Sequence, residues 1–336
     1  MVVLSIVIVS WNVKALLERC LLSVLANDDP SRDRCEIIVV DSASSDGTAE
    51  MVRQQFPSVK LVASQSNLGF SKGSNVGIAQ SSGQYILLLN PDTEIVGDAP
   101  SVLVGYMDSH PDVGAVGPRV LFPDGRIQSS RRRFPTLATA FIESTVLQPW
   151  FSHNRVLRDY YVLDRSDDQE QDVDWLIGAC LLIRRKAWEQ VGPLDEALFM
   201  YSEELAWCRR LKAAGWRAVY IPWATIIHHE GQSSSQVVPA RHIYFQSSKV
   251  RYFRKHHGLL AGEALRIFLL GTYVYQVCLE SAKWLIGHKR PLRRERVAAY
   301  LHVLRSGLRA PGAALPSPEQ QSGATSSLHN LNGARK

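Results

Sequence analysis

The sequence predicts an α/β protein, a mixed but mostly parallel sheet flanked by helices, with a helical segment appended at its C-terminal end. Three observations carry that expectation. Short apolar runs alternate with stretches at helical spacing over residues 1–100. Polar residues gather where those runs end, as in open α/β sheets that bind ligands beyond the carboxyl ends of their strands. Charge then shifts along the chain: residues 1–236 hold 22 Lys and Arg against 28 Asp and Glu, whereas residues 237–336 hold 16 against 4.

The elements follow in order. Val2–Ser10 reads as a buried strand, and Leu16, Leu17, Cys20, Leu21 and Val24 recur at helical spacing over Val13–Leu25. Cys35–Val40 is a second strand running into Asp41-Ser-Ala-Ser-Ser-Asp46-Gly-Thr48, and Leu61–Ala63 is a short third. Asn67-Leu-Gly-Phe-Ser-Lys72-Gly-Ser-Asn-Val-Gly77 leads a helix, and Tyr85–Leu89 is a strand ending in Asn90-Pro-Asp92-Thr-Glu94. Further on, Cys180–Arg184 and Ala224–Ile227 are strand-like. Tyr201–Leu211 starts a helix with Ser202 as cap and acids in the first turn. The run Arg131-Arg-Arg133 reads as a solvated or phosphate-facing loop.

After a polar linker at Gln232–Val238 comes a basic, aromatic helical stretch containing Arg241, Tyr244, Phe245, Lys249, Tyr252 and Phe253. Leu265, Phe268, Leu269, Tyr273, Val277 and Trp284 then recur at helical spacing. The apolar core Ile267–Leu279 is shorter than the ~18 residues a membrane span needs, so it reads as an interfacial helix. The cluster Lys289, Arg290, Arg293, Arg294 and Arg296 suits an anionic lipid surface. Packing on the preceding α/β part, or a contact in a homo-oligomer, are the other uses open to this segment. The expected division is residues 1–235, 236–310, and a disordered tail at 311–336.

Several classes drop out. The five cysteines are scattered without metal spacing and read as reduced thiols. The N-terminus has neither the positive start nor the cleavage site of a signal peptide, so a cytoplasmic protein, peripheral on the inner face of the cell membrane, is expected. No recognition motif supports nucleic acid as a partner. A dinucleotide fold would place G-x-G-x-x-G after the first strand, where this chain has Ser10-Trp11-Asn-Val-Lys14. Asp41 can be a turn or N-cap residue, or an acceptor for a base or ribose with phosphate on the turn behind it. Asp92 can be a turn carboxylate, or a hard oxygen ligand holding Mg2+ or Mn2+ against a diphosphate.

Together, S-I-V-I-V-S-W-N, V-V-D-S-A-S-S-D-G-T, N-L-G-F-S-K-G-S-N-V-G and L-L-L-N-P-D-T resemble the family 2 glycosyltransferases of the GT-A fold, in their rhamnosyltransferase-like subgroup. The likeness resumes at Trp175–Arg184, Gly192–Leu205 and Gly215–Gly231 and covers residues 3–235. It implies that Asp41 contacts the nucleotide base, with Ser10 and Trp11 lining its pocket and Asp46 and Lys72 near ribose and phosphates. Asp92 matches the last carboxylate of the family's D-x-D metal motif, which opens here with Asn90, and His228 matches a histidine that completes metal coordination. Glu204 falls at the catalytic carboxylate, preceded by Glu203 and followed by Ala206 where many relatives carry an acid. Trp175 and Gly178 border the acceptor side.

The chemistry needs such groups. A divalent cation stabilises the departing diphosphate as a Lewis acid, and a carboxylate base activates the acceptor hydroxyl. One candidate base opposite one leaving group predicts a single displacement with inversion. The donor expected is dTDP- or UDP-linked, the sugar a hexose or deoxyhexose such as rhamnose, and the acceptor a lipid-linked or polysaccharide chain. Two alternatives stand beside this: an inactive membrane-associated scaffold of the same fold, supported by Asn90 and Ala206, and a nucleotidyltransferase, whose basic Gly-rich signature Ser10–Lys14 lacks.

Overall fold

The computed structural model describes residues 2–26, 35–150, 154–229 and 238–309; the polar linker and the C-terminal tail lie outside them. Leu4–Ser10 (β1), Cys35–Asp41 (β2), Lys60–Ala63 (β3) and Tyr85–Leu89 (β4) run parallel in the order β3-β2-β1-β4. Every residue of β1 and β4 is buried, as expected of strands covered on both faces. Alternate side chains supply two cores. Ile6, Ile8, Val39 and Leu87 pack under Lys14–Leu25 (α1) and Thr48–Gln55 (α2), while Val7, Val9, Val40 and Leu88 face Gly69–Ala79 (α3).

Three further long strands and several short pieces complete the sheet. After Thr93–Val96 (β5) and Ala99–Ser109 (α4) come Val113–Leu121 (β6), Ile127–Gln128 (β7), Arg131–Arg132 (β8), Leu137–Ile142 (α5) and Arg155–Tyr160 (α6). Then follow Gln171–Val173 (β9), Trp175–Leu176 (β10), Cys180–Arg184 (β11), Arg185–Val191 (α7), Glu203–Ala213 (α8) and Arg217–His228 (β12). The order continues β4-β11-β6-β12-β5, with β11 antiparallel to both neighbours and β6 parallel to β12. β8 and β10 form a separate two-stranded ribbon.

The basic segment forms three helices, Val238–His257 (α9), Leu259–Leu285 (α10) and Arg290–Ser306 (α11). Ile243, Tyr252 and Phe253 of α9, Leu269 of α10 and Val303 of α11 belong to the same apolar cluster as Val7 and Val40. The core therefore runs without a break from the sheet into these helices. No described helix is long and apolar enough to cross a membrane.

Candidate active site

Parallel register sets Ser10, the last residue of β1, beside Asp41, the last residue of β2. The turn behind them is tied down locally: Ser42 N–H donates to the Ser10 carbonyl at 2.9 Å and Ser44 N–H to Asp41 Oδ2 at 3.2 Å. What remains is three buried oxygens without a hydrogen-bond partner, Ser10 Oγ, Asp41 Oδ1 and Ser42 Oγ. Buried polar atoms are normally paired, so these mark a place where a ligand can bind. Ser10, Trp11 and Ser42 line a cavity of about 910 Å3 that extends across the strand ends.

Asp46 is used differently from the expected donor contact. Its Oδ2 accepts from Lys14 N–H at 2.9 Å and its Oδ1 from Thr48 N–H at 3.1 Å, which joins the starts of α1 and α2. Burial opposes ionisation there, but the hydrogen bonds from Thr48 and Lys14 outweigh it and hold this carboxyl below its usual range. Lys72 is exposed on α3 and does not line the cavity.

Asp92 ends the turn after β4, and antiparallel pairing of β5 with β12 sets Thr93 opposite His228. That register brings His228 Nε2 to 3.3 Å from Asp92 Oδ1, and to 3.5 Å from Asn90 Nδ2. On its other side, His228 Nδ1 lies 2.9 Å from Gln128 Oε1, on β7. A neutral His228 donating from Nδ1 to Gln128 would present a bare Nε2 to a carboxylate oxygen. Two acceptors so close, both buried, fit a cation between them, and the glutamine is the outer partner that ligating histidines ordinarily have. Among the described residues no group of three or more His, Cys, Asp and Glu could hold a metal, and Asp92 and His228 make two such side chains.

Glu203 and Glu204 open α8 after Tyr201 and Ser202, which both adopt left-handed backbone at φ 71° and 67°. Such residues are strained and persist where their surroundings hold them. Helix α9 does this: Tyr244 stacks on Phe199, Phe245 meets Tyr201 edge-on, and Ser248 Oγ donates to the Met200 carbonyl at 2.9 Å. Ser202 occupies the cap position, but its side chain makes no cap bond. Glu204 Oε1 accepts from Gly178 N–H at 3.3 Å, while Glu204 Oε2 and Glu203 Oε2 are buried without partners. Burial, and then the charge of Glu204, push Glu203 well above the usual carboxylate value; burial also raises Glu204, against hydrogen bonds from the backbone and the charge of Arg132.

Trp175 and Gly178 line the cavity near these acids. The ribbon pairs Trp175 with Arg132, whose guanidinium lies 4.5 Å from the centre of the Tyr161 ring, with Tyr160 and Trp175 near 6 Å. Sequence reasoning took Arg131–Arg133 as a solvated or phosphate-facing loop, and the structure corrects this for Arg131. That side chain is buried, paired with Asp167 at 2.6 Å and stacked on Tyr220 at 5.0 Å. A cationic side chain this deep needs a counter-charge, and Asp167 supplies it. Gln128, the aromatic surroundings of Arg132, and the α9 brace were not foreseen. Alternating basic and aromatic residues in α9 were the available signal, but an interfacial reading accounts for the same pattern.

Residues 5–192 match the family described as glycosyl transferase family 2. The chain is 33% identical over 270 residues to the N-acetylglucosaminyl-diphospho-decaprenol L-rhamnosyltransferase of Mycobacterium tuberculosis, covering 76% of this chain and 86% of that one. It is 26% identical over 260 residues to the rhamnosyltransferase WbbL of Escherichia coli, covering 74% and 92%. Among solved structures it is similar to the mannosyltransferase PcManGT of Pyrobaculum calidifontis in complex with GDP-Man and Mn2+, with TM-score 0.54, 17% identity and coverage of 91% and 86%. It is also similar to GalNAc-T7 with UDP, GalNAc and Mn2+, with TM-score 0.55, 16% identity and coverage of 89% and 54%.

Proposed function

The chain belongs to glycosyl transferase family 2 and has the GT-A fold, and from that premise we propose that it transfers rhamnose, with inversion, from a dTDP- or UDP-linked donor to a lipid-linked acceptor in cell-surface glycan synthesis. The sugar and acceptor follow the relatives, one named for rhamnosyl transfer involving N-acetylglucosaminyl-diphospho-decaprenol and one named as a rhamnosyltransferase. One observation carries the chemistry: a buried carboxylate oxygen, Glu204 Oε2, with no partner, in the same cavity as the Asp92–His228 pair.

In this reading Ser10, Asp41 and Ser42 bind the nucleoside through their unpaired oxygens. Mg2+ or Mn2+ held by Asp92, His228 and the donor diphosphate would supply Lewis-acid stabilisation of the leaving group. Glu204 takes the acceptor hydroxyl proton as that oxygen attacks the anomeric carbon from the face opposite the diphosphate. Its bond from Gly178 N–H holds one oxygen and leaves the other for the proton. Burial and the charge of Glu204 favour a neutral Glu203, which would add no second negative charge beside the base. A single displacement needs no carboxylate nucleophile on the other face, and inversion follows. A lipid-linked acceptor, together with the basic helical segment, supports a peripheral location on the inner face of the membrane.

The test is a panel of nucleotide sugars, with and without Mn2+ or Mg2+, read by thermal shift and nucleoside diphosphate release. Cation-dependent stabilisation by a rhamnose donor is expected. Silence across the whole panel would favour an inactive scaffold.

A further inference from the structure

Helix α10 is inverted relative to an ordinary surface helix. Each of its exposed positions carries an uncharged residue, from Leu260 through Ile267, Val274, Tyr275 and Leu279 to Leu285. Leu260 is 86% exposed, Ile267 64% and Leu285 69%. Its charged residues are half-buried or buried and paired: Glu263 with Arg254 and Arg266, and Glu280 with Lys283 and Arg293. Leu260, Ile267 and Val274 stand seven apart, two turns of helix, so they form one stripe. A helix of 27 residues makes this stripe roughly 40 Å long.

The stripe ends in a basic elbow. Between the end of α10 and the start of α11 lies an open groove of about 800 Å3, lined by Trp284, Leu285, Arg290, Arg293 and Arg294. Arg290 lies over the Trp284 ring, 5.4 Å from its centre. Arg293 is buried, with Nη1 on Glu280 Oε2 at 2.6 Å and Nη2 3.1 Å from His288 Nδ1, while its Nε has no partner. An apolar wall beside several guanidinium groups suits an anion that carries an apolar tail. Lys289, Arg290 and Arg294 are exposed at the rim.

We propose that α10 and the α10–α11 elbow form a docking surface for an anionic lipid membrane. The stripe enters the acyl boundary and the elbow arginines hold lipid phosphate. This rests on the peripheral location argued above and names the surface responsible. A second copy of the chain set parallel is a poorer occupant on charge. Parallel helices would oppose elbow to elbow, whereas antiparallel ones would set the elbow near Arg254 and Lys255, whose charges Glu263 and Asp195 offset. The other side of α10 packs on α9, which lines the active-site cavity, so docking brings that cavity to the bilayer.

The experiment is flotation of the full chain with vesicles of phosphatidylcholine alone, or of equal parts phosphatidylcholine and phosphatidylglycerol. Binding to the anionic vesicles only is expected. The double variants Ile267→Asp with Val274→Asp, and Arg290→Glu with Arg294→Glu, should each weaken it roughly thirtyfold or more. Both change exposed residues outside the cavity, so donor turnover and circular dichroism should stay as in the parent. Equal binding to neutral vesicles, or undiminished binding by either variant, would overturn the proposal. So would a dimer in light scattering that binds no vesicles and is dissolved by the aspartates, since a second copy would then cover the stripe. The two proposals fail separately: turnover without vesicle binding sinks the docking surface alone, and vesicle binding without donor binding sinks the enzymatic reading.

Discussion

Glu204 must be ionised to accept a proton, yet burial favours its protonated form. A base whose pKa is raised towards working pH is the more effective one. The rate should therefore fall as pH drops through a midpoint above the ordinary carboxylate value, and a pH profile of turnover measures it. Glu204→Gln is expected to lower turnover by roughly 10²–10⁴-fold while donor affinity persists. The stability sign is the opposite of the catalytic one. A carboxyl raised by folding stabilises the fold below its unfolded pKa, and that contribution is lost as pH rises through the folded pKa. Removing this charge should leave the melting temperature at neutral pH unchanged or higher, so a turnover loss accompanied by a large drop in Tm would point to damage instead. Beside Asp92, Gln128→Leu removes the partner of His228 Nδ1. Cation-dependent donor binding should weaken about 10–100-fold, and calorimetry with and without Mn2+ would show it. Unchanged affinity would remove Gln128 from the site.

At the scale of elements, helix α3 shows how a motif can serve packing as well as binding. Gly73 and Gly77 present a smooth face to β1: a Cβ on Gly77 would stand 2.4 Å from Val7 Cγ1, and one on Gly73 2.7 Å from Val9 Cγ1. The helix lies against the strand because those positions have no side chain. Gly77→Ala is expected to destabilise the protein by about 1–3 kcal/mol, as overpacking does, measurable by urea unfolding. At the front of the same helix, Phe70 N–H donates to the Phe199 carbonyl at 2.9 Å, which ties the donor half to the loop before Glu203. The strained turn at Tyr201–Ser202 is thus held from two sides, by α3 and by α9.

For the whole molecule, the charge boundary and the packing boundary do not coincide. Sixteen basic residues collect after residue 236, but Ile243, Tyr252, Phe253 and Leu269 share a core with the sheet. Unfolding followed by circular dichroism and by tryptophan fluorescence should therefore give one coincident transition. An earlier, separate loss of helix would show that the C-terminal helices form a unit of their own.

The sequence by itself determined β1 to β4 and β11 and where they end, but it showed only Ala224–Ile227 of β12 and none of β5 to β10. Apolar runs such as Tyr85–Leu89 coincide with β4, and Ser10, Asp41 and Asp92 stand at or just beyond strand ends, because burial on two faces demands continuous apolar runs and their ends release polar residues. The motifs around Asp41, Asp92 and Glu204 were legible through their spacing and order within a recognisable family pattern. Apart from His228, which the family pattern already set with Asp92, only the tertiary structure decided which distant residues meet them. His228 reaches Asp92 through the register of β5 with β12, Gln128 reaches His228 through β7, and α9 reaches Phe199–Tyr201 by side-chain packing. Those contacts join positions as much as 136 residues apart, from Asp92 to His228, and local spacing carries no record of them. Arg131 and α9 make the same point from the other direction: a run of basic residues looks solvated until an aspartate or an aromatic wall is folded against it.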